Sequence, residues 1–379
     1  MKIYSLIVLL LLTACSFENK QCEYTHDLHL SDKLLTYKTG SEVHPVCKRV
    51  YCFEVNGTEV LSYLDRSHHL LFFNANNGNM IHEVNYEKYG PNAVSNIGGM
   101  YIENFDSIYV LTADERCVIL TDSYGLVKER VDLSNFKNGK FPVYLFPIIH
   151  QINNPVVRIG NELDFATRCP DCIKENEIAG LSMSLRFNRE TKKCGLTTLN
   201  FPEVENGLNY VENNVFSREY DGKKWVYSFL FSNHLFVYTK DGNYERISCK
   251  SRYAKEELDL PNDNVVNPIV EGLKPRYLSL IYDQWRNVFY RLYLHETKVS
   301  NKMSDDELFS LIDNPERFSV VILDENLKII GETVMPENMY HPEMFFVNKD
   351  GLNFALHIDH PEFNPDYLKF ASFKLHPIK

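Results

Sequence analysis

The amino-acid sequence predicts an all-β chain that grows by repetition, and three observations carry that expectation. A hairpin pattern recurs along the chain: a β-prone run, a polar Asn/Asp/Gly turn, then a second β-prone run. The length, 379 residues, exceeds the roughly 250–300 at which a single hydrophobic core stops growing. The composition holds 23 Tyr and 24 Phe against 17 Gly, an excess of residues that suit pleated, half-buried surfaces. With 44% hydrophobic and 24% charged residues and a net charge of −11, the chain is ordered and globular rather than disordered. The same acid excess, with no dense Lys/Arg stripe, excludes nucleic acid as a partner.

Met1 and Lys2 precede an uncharged apolar run over residues 3–12, too short to span a roughly 30 Å hydrocarbon layer as a mature helix. It reads as the apolar region of a secretion signal. Leu12, Thr13, Ala14 and Cys15 follow directly and resemble the lipobox of bacterial lipoproteins. That resemblance implies that residues 1–14 are a signal peptide and that Cys15 becomes the acylated mature N-terminus, so that the membrane is a partner through the lipid. Residues 15–22 form a polar tether. No Asp follows Cys15, which in the enteric sorting rule favours the outer membrane, so the expected location is the cell envelope. No later apolar run is long enough for a spanning helix.

The clearest hairpins cover residues 70–84 and 118–131, and further copies cover 185–199, 235–247 and 320–334. Two more strand-like runs precede each. The unit is therefore four strands in roughly 40–50 residues, the period of a β-propeller blade. Third-strand centres fall near Phe72, Ile119, Leu185, Val237, Val321 and Phe370, which predicts six four-stranded antiparallel blades in one domain over residues 23–379. Two wide intervals read as loop insertions, at about 161–180 and 297–317. The second contains Ser304-Asp-Asp-Glu307, a capping box that opens a short helix. The final blade lacks room for a fourth strand, and residues 24–30 can supply it, closing the ring and removing an exposed edge. A lipobox, a short tether and aromatic-rich blades closed at the C-terminus resemble the six-bladed propeller lipoproteins of Bacteroidota classed as a domain of unknown function. The resemblance implies fold and envelope location and no mechanism.

Candidate chemistry is sparse. Cys169-Pro-Asp-Cys172 suits a small disulfide in an oxidising compartment, or else a redox pair or half a zinc site. An even number of cysteines remains once Cys15 is set aside, and Cys47 and Cys52 are close enough to pair. His357, Asp359 and His360 lie in one short loop with Glu362 and are weak candidate ligands for a divalent cation, since imidazole and carboxylate suit such ions; loop polarity is the better account of them. Asp106-Ser107-Ile108 resembles a Bacteroidota O-glycosylation acceptor at Ser107. No Gly-x-Ser-x-Gly elbow or phosphate-binding Gly loop occurs, so no catalytic residue and no cofactor is predicted. The leading expectation is a noncatalytic binding module for a protein, peptide or glycan. The alternative is a hydrolase or lyase with a calcium-type site in the central channel.

Overall fold

The computed structural model describes residues 24–40, 50–65, 67–94, 97–112, 116–145, 152–168, 178–202, 215–259, 268–300 and 302–378. They form a six-bladed β-propeller. Blade 1 comprises Val50–Val55, Thr58–Leu64, His69–Asn74 and Met80–Asn85, and blade 2 comprises Ile97–Asn104, Ser107–Thr112, Cys117–Thr121 and Val127–Asp132. In blade 3 the inner position is shared by Tyr144–Leu145 and Val157–Ile159, followed by Glu162–Arg168, Ser184–Asn188 and Cys194–Leu196. Blade 4 runs through Phe216–Tyr220, Trp225–Phe229, His234–Tyr238 and Tyr244–Ser248, and blade 5 through Arg276–Asp283, Val288–Leu294, Phe318–Leu323 and Ile329–Val334. Blade 6 takes Tyr340–Val347, Leu352–Leu356 and Tyr367–Pro377 from the C-terminus and His26–Lys38 from the N-terminus. Each predicted third-strand centre falls in the third strand of its blade. The registers Leu70 opposite Val84, Val118 opposite Val131 and Leu235 opposite Ile247 close the predicted hairpins.

Apolar side chains meet between blades rather than in one central mass. Leu35, Tyr37 and Phe370 of blade 6 pack with Leu61, Tyr63 and Phe73 of blade 1. Equivalent layers join each later pair of neighbours around the ring. Each fully buried Phe or Leu in such a layer contributes about 1.5–3 kcal/mol, so stability accrues blade by blade and the length needs no oversized core.

Closure is more extensive than predicted. The N-terminal strand pairs antiparallel with Tyr367–Pro377 from His26 opposite Pro377 to Lys38 opposite Tyr367, bulging between Leu30 and Leu34. Its start also reaches blade 5, where Thr25 N–H donates to the Ile330 carbonyl at 2.7 Å and Leu28 N–H to Thr333 Oγ1 at 2.9 Å. A Cβ at Gly331 would overlap the His26 carbonyl oxygen, so the position must lack a side chain for the strand to seat there.

The predicted insertion at 161–180 is corrected in part. Glu162–Arg168 is the second strand of blade 3, paired with Ser184–Asn188, and the insertion begins only after Arg168. The predicted helix is present as Asp305–Asp313, and Ser304 and Glu307 form the reciprocal cap: Glu307 N–H donates to Ser304 Oγ, while Ser304 N–H donates to Glu307 Oε2 at 2.8 Å.

Two faces follow from strand direction. The turns joining first to second and third to fourth strands lie on one face, called here the hairpin face; the longer loops lie on the other. Because His26 opposes Pro377, at the end of a third strand, the described chain begins at the hairpin face.

Candidate functional site

A cleft of about 730 Å³ lies between the outer strand of blade 3 and the hairpin turns of blade 4. Trp225 and Tyr238 line it as buried side chains; Tyr220 packs against Trp225 at 4.9 Å between ring centroids, and Tyr238 Oη donates to the Asn200 carbonyl at 2.8 Å. The turn at Gly242, with φ +82, presses on Thr198 of blade 3; an added Cβ would stand 2.5 Å from its carbonyl oxygen. Glycine there lets the two blades approach and fixes one end of the cleft.

Three exposed lysines rim the cleft: Lys193 on the last turn of blade 3, and Lys223 and Lys240 on the two hairpin turns of blade 4. None meets a carboxylate among the described residues. By contrast, the lining residue Arg186 is neutralised by Glu162 at 3.7 Å and by Asp164 at 3.1 Å. Beneath the wall, buried Arg218 donates to Asp164 Oδ1 at 2.8 Å and lies 4.5 Å from the centroid of the Trp225 ring. The aromatic floor is thus held by a buried ion pair, while the rim offers free positive charge. Such a site can attract an anion at modest desolvation cost, because ammonium groups left in water keep their hydration until contact.

A second polar group lies where the inner strands meet. Asn153 N–H donates to Ser279 Oγ of blade 5 at 3.0 Å, Ser217 Oγ of blade 4 donates to the Asn153 carbonyl at 2.6 Å, and Asn153 Nδ2 donates to Glu219 Oε1 at 2.7 Å. One residue therefore ties three blades, through its backbone and its side chain together. Burial pushes the Glu219 carboxyl up to about 8, against the opposing effect of hydrogen bonds from Tyr282, Asn153 and Tyr220. A folded pKa above the unfolded value favours the native state fully below about pH 4.5, and that contribution disappears as pH rises through 8. Glu219→Gln is expected to leave stability at pH 5 nearly unchanged and to raise it at pH 9 by about 1–2 kcal/mol. Urea unfolding at the two pH values checks this, and an equal shift at both would reject the assignment.

The loop candidates are arranged differently from a metal site. His357 donates through Nε2 to the Asn314 carbonyl at 3.3 Å and accepts at Nδ1 from Asp359 N–H at 3.2 Å. His341 bonds the Asp313 carbonyl at 2.9 Å. The two imidazoles therefore receive the end of the inserted helix. His360 Nδ1 accepts from Glu362 N–H at 3.0 Å, closing its own turn. The three predicted ligands do not converge, and among the described residues no three His, Cys, Asp or Glu side chains form a metal-ligand group.

Cys15, Cys47, Cys169 and Cys172 lie outside the described residues. Cys52, Cys117, Cys194 and Cys249 form no disulfide among the described residues; burial pushes Cys52 up to about 12 and Cys249 up to about 11, values of inert packing groups rather than nucleophiles. Ser107 opens the second strand of blade 2 beside a turn in which Asn104 Oδ1 accepts from Asp106 N–H at 2.9 Å. It is half-buried, on the hairpin face.

No curated protein matches the chain in sequence. Among solved structures, a member of the DUF4221 family from Bacteroides vulgatus superposes with a TM-score of 0.82 at 22% identity, covering 94% of this chain and 100% of that one. A protein from Bacteroides fragilis described as exported superposes with a TM-score of 0.56 at 10% identity, covering 93% and 96%. The family model for the domain of unknown function DUF4221 matches residues 27–334. A six-bladed propeller with this closure, and a family match extending from the closing strand to the end of blade 5, lead to one conclusion: the chain belongs to the DUF4221 family.

Proposed function

We propose that this chain is a noncatalytic binding module of the cell envelope, held at the outer membrane by an acyl group on Cys15, and that the cleft between blades 3 and 4 takes an anionic partner. The observation that carries the reading is the rim of Lys193, Lys223 and Lys240, three ammonium groups without carboxylate partners in a chain of net charge −11. Among the described residues, none of the three makes an ion pair of the kind that Lys192 makes with Glu129. Instead they surround an aromatic-floored cavity on a rigid scaffold, the kind of place where function sits on propellers and other repeat folds. The export described for the Bacteroides fragilis protein supports the envelope location, and the lipobox supports the anchor.

The test is a binding panel of acidic glycans, acidic peptides and anionic vesicles, each with a neutral counterpart, against the full chain. Acidic members are expected to bind at micromolar concentration and their neutral counterparts not to. The triple variant Lys193→Ala, Lys223→Ala, Lys240→Ala is expected to weaken that binding at least tenfold, about 1.4 kcal/mol or more, with its unfolding midpoint unchanged. Equal binding by the triple variant would exclude the cleft.

A further inference from the structure

We infer that the partner of the lysine-rimmed cleft is an extended acidic peptide, which adds as a further strand to the free edge of blade 3 and turns its carboxylates toward the rim. The inference rests on the anionic cleft proposed above and adds to it the class of partner and the mode of binding.

The outer strand of blade 3, Cys194–Leu196, ends its sheet. Leu196 stands opposite Leu185, Gly195 opposite Arg186 and Cys194 opposite Phe187. Thr197 N–H donates to the Ser184 carbonyl at 3.1 Å, and Asn188 N–H to the Lys193 carbonyl at 2.9 Å. Bonded and non-bonded pairs alternate along an antiparallel ladder. Between those two bonded pairs, Gly195 therefore turns its N–H and C=O toward Arg186, while Cys194 and Leu196 turn theirs away from the sheet. Among the described residues, nothing bonds those outward groups. Pairing continues past the strand, since Met183 N–H donates to the Leu199 carbonyl at 2.7 Å. The edge from Lys193 to Leu199 is thus long enough for an added strand of about five residues.

This edge is also the unguarded one. Exposed edges recruit strands, and proteins protect them with charged side chains. Exposed Glu83, Lys128, Glu245 and Lys33 stand on the outer strands of blades 1, 2, 4 and 6. On blade 5 the edge is already met by Thr25, whose N–H donates to the Ile330 carbonyl. Cys194–Leu196 carries no charge, and Gly195 and Leu196 are exposed. Gly195 answers no packing constraint, because an added Cβ would have no neighbour within 4 Å. Glycine at such a strand position leaves room for another backbone to come close.

Charge selects what comes. Strand alternation puts Lys193, Gly195 and Thr197 on the same side as Arg186, which bonds Asp164 and so faces the Arg218 of blade 4. A strand added here turns every second side chain to that side, into the cleft. The charged residues lining it are Lys193, Lys223, Lys240, Arg186 and Glu162, and the last two pair with each other. Three ammonium groups are left for carboxylates of the peptide. An anionic glycan would use the same rim but leave the outward N–H and C=O groups of Cys194 and Leu196 unmet, so the edge favours a peptide.

The experiment selects peptides of about six residues from a displayed random library on the full chain, with the triple lysine variant as counter-target. Enriched sequences are expected to alternate acidic with β-prone residues. Hydrogen exchange is then read amide by amide with an enriched peptide bound. The Cys194 and Leu196 amides are expected to slow about tenfold, and the Gly195 amide, already bonded to blade 3, to change little. Leu196→Pro removes an outward donor and no ladder bond, as proline is tolerated on an edge; it is expected to weaken the peptide about tenfold with the urea midpoint unchanged. Methylating alternate amides of the peptide should weaken it as much on the parent chain, a measurement that does not depend on how the proline variant folds. Acidic peptides that bind through the lysines, yet leave Cys194 and Leu196 exchanging freely and tolerate backbone methylation, overturn strand addition. A library that enriches no acidic sequence, while heparin binds the parent and not the triple variant, overturns the peptide and leaves the anionic cleft standing. Failure of every acidic probe overturns the cleft and this inference together.

Discussion

Arg291→Ala is expected to destabilise the propeller by about 4 kcal/mol, near the upper end of what single substitutions do. Arg291 lies in the second strand of blade 5 and is fully buried. Its guanidinium faces oxygens of blade 4: Nε donates to Ser228 Oγ at 2.9 Å, Nη1 to the Cys249 carbonyl at 3.0 Å, and Nη2 to the Ser232 carbonyl at 2.6 Å. The Tyr277 ring lies flat beneath it, 3.4 Å from centroid to guanidinium carbon. Burial holds its pKa below the usual arginine value, an effect that nearby Tyr277 and Cys249 oppose. Keeping a charge in such a place costs several kcal/mol, and alanine relieves that cost. Relief is the smaller effect, because alanine also leaves two carbonyls and a hydroxyl unpaired at about 1–3 kcal/mol each and opens a cavity between two blades. Arg291→Met fills the volume without pairing the oxygens and should lose about half as much. Urea titration followed by tryptophan emission separates the cases; an alanine variant within about 1 kcal/mol of the parent would show that water replaces the guanidinium.

The elements read correctly from sequence were those whose hairpins carry their own signal. Residues 70–84 and 235–247 alternate or run apolar on either side of an Asn- or Gly-bearing turn, and local chemistry alone sets their register. Glu162–Arg168 falls inside the expected insertion because the wide interval between third strands reads as one loop, and Asp164 in the middle of the strand gives no alternation to set it apart. The cation that makes it tolerable, Arg218, lies in the next blade. The N-terminal strand was read only to residue 30 because Ser31, Asp32 and Lys33 break its alternation; they form the bulge, and pairing resumes at Leu34. The cleft had no sequence signature at all. Lys193, Lys223 and Lys240 stand on three turns of two blades, and each alone is an ordinary solvated turn lysine. Asn153 was likewise invisible, since blade 3 divides its inner strand and shows no alternation there. A repeat fold discloses its period in the sequence and hides its sites, because sites arise where repeats meet.

Asp164→Ala is expected to cost about 3–5 kcal/mol, the usual consequence of leaving a buried cation without its anion. Asp164 accepts from Ser184 Oγ, from Arg186 Nε at 3.1 Å and from Arg218 Nη1 at 2.8 Å, while Arg218 Nη2 donates to the Asp164 carbonyl at 3.0 Å. Both carboxylate and guanidinium are fully buried. Removing the acid strands Arg218 against the Trp225 face, where a ring quadrupole compensates only about 1–2 kcal/mol of charge burial. Removing both partners is a different experiment. Asp164→Leu combined with Arg218→Met replaces the pair by apolar groups of similar volume, and should recover most of the stability, so that a double-mutant cycle returns a coupling of about 2–3 kcal/mol. The same pair bears on the cleft. Asp164 fixes Arg186 in the lining, and Arg218 supports Trp225 in the floor, so the apolar double variant should fold yet bind anionic ligands more weakly than the parent, with the rim lysines untouched. Full stability with unaltered binding in that variant would mean that the rim acts alone and that the buried pair serves only to join blades 3 and 4.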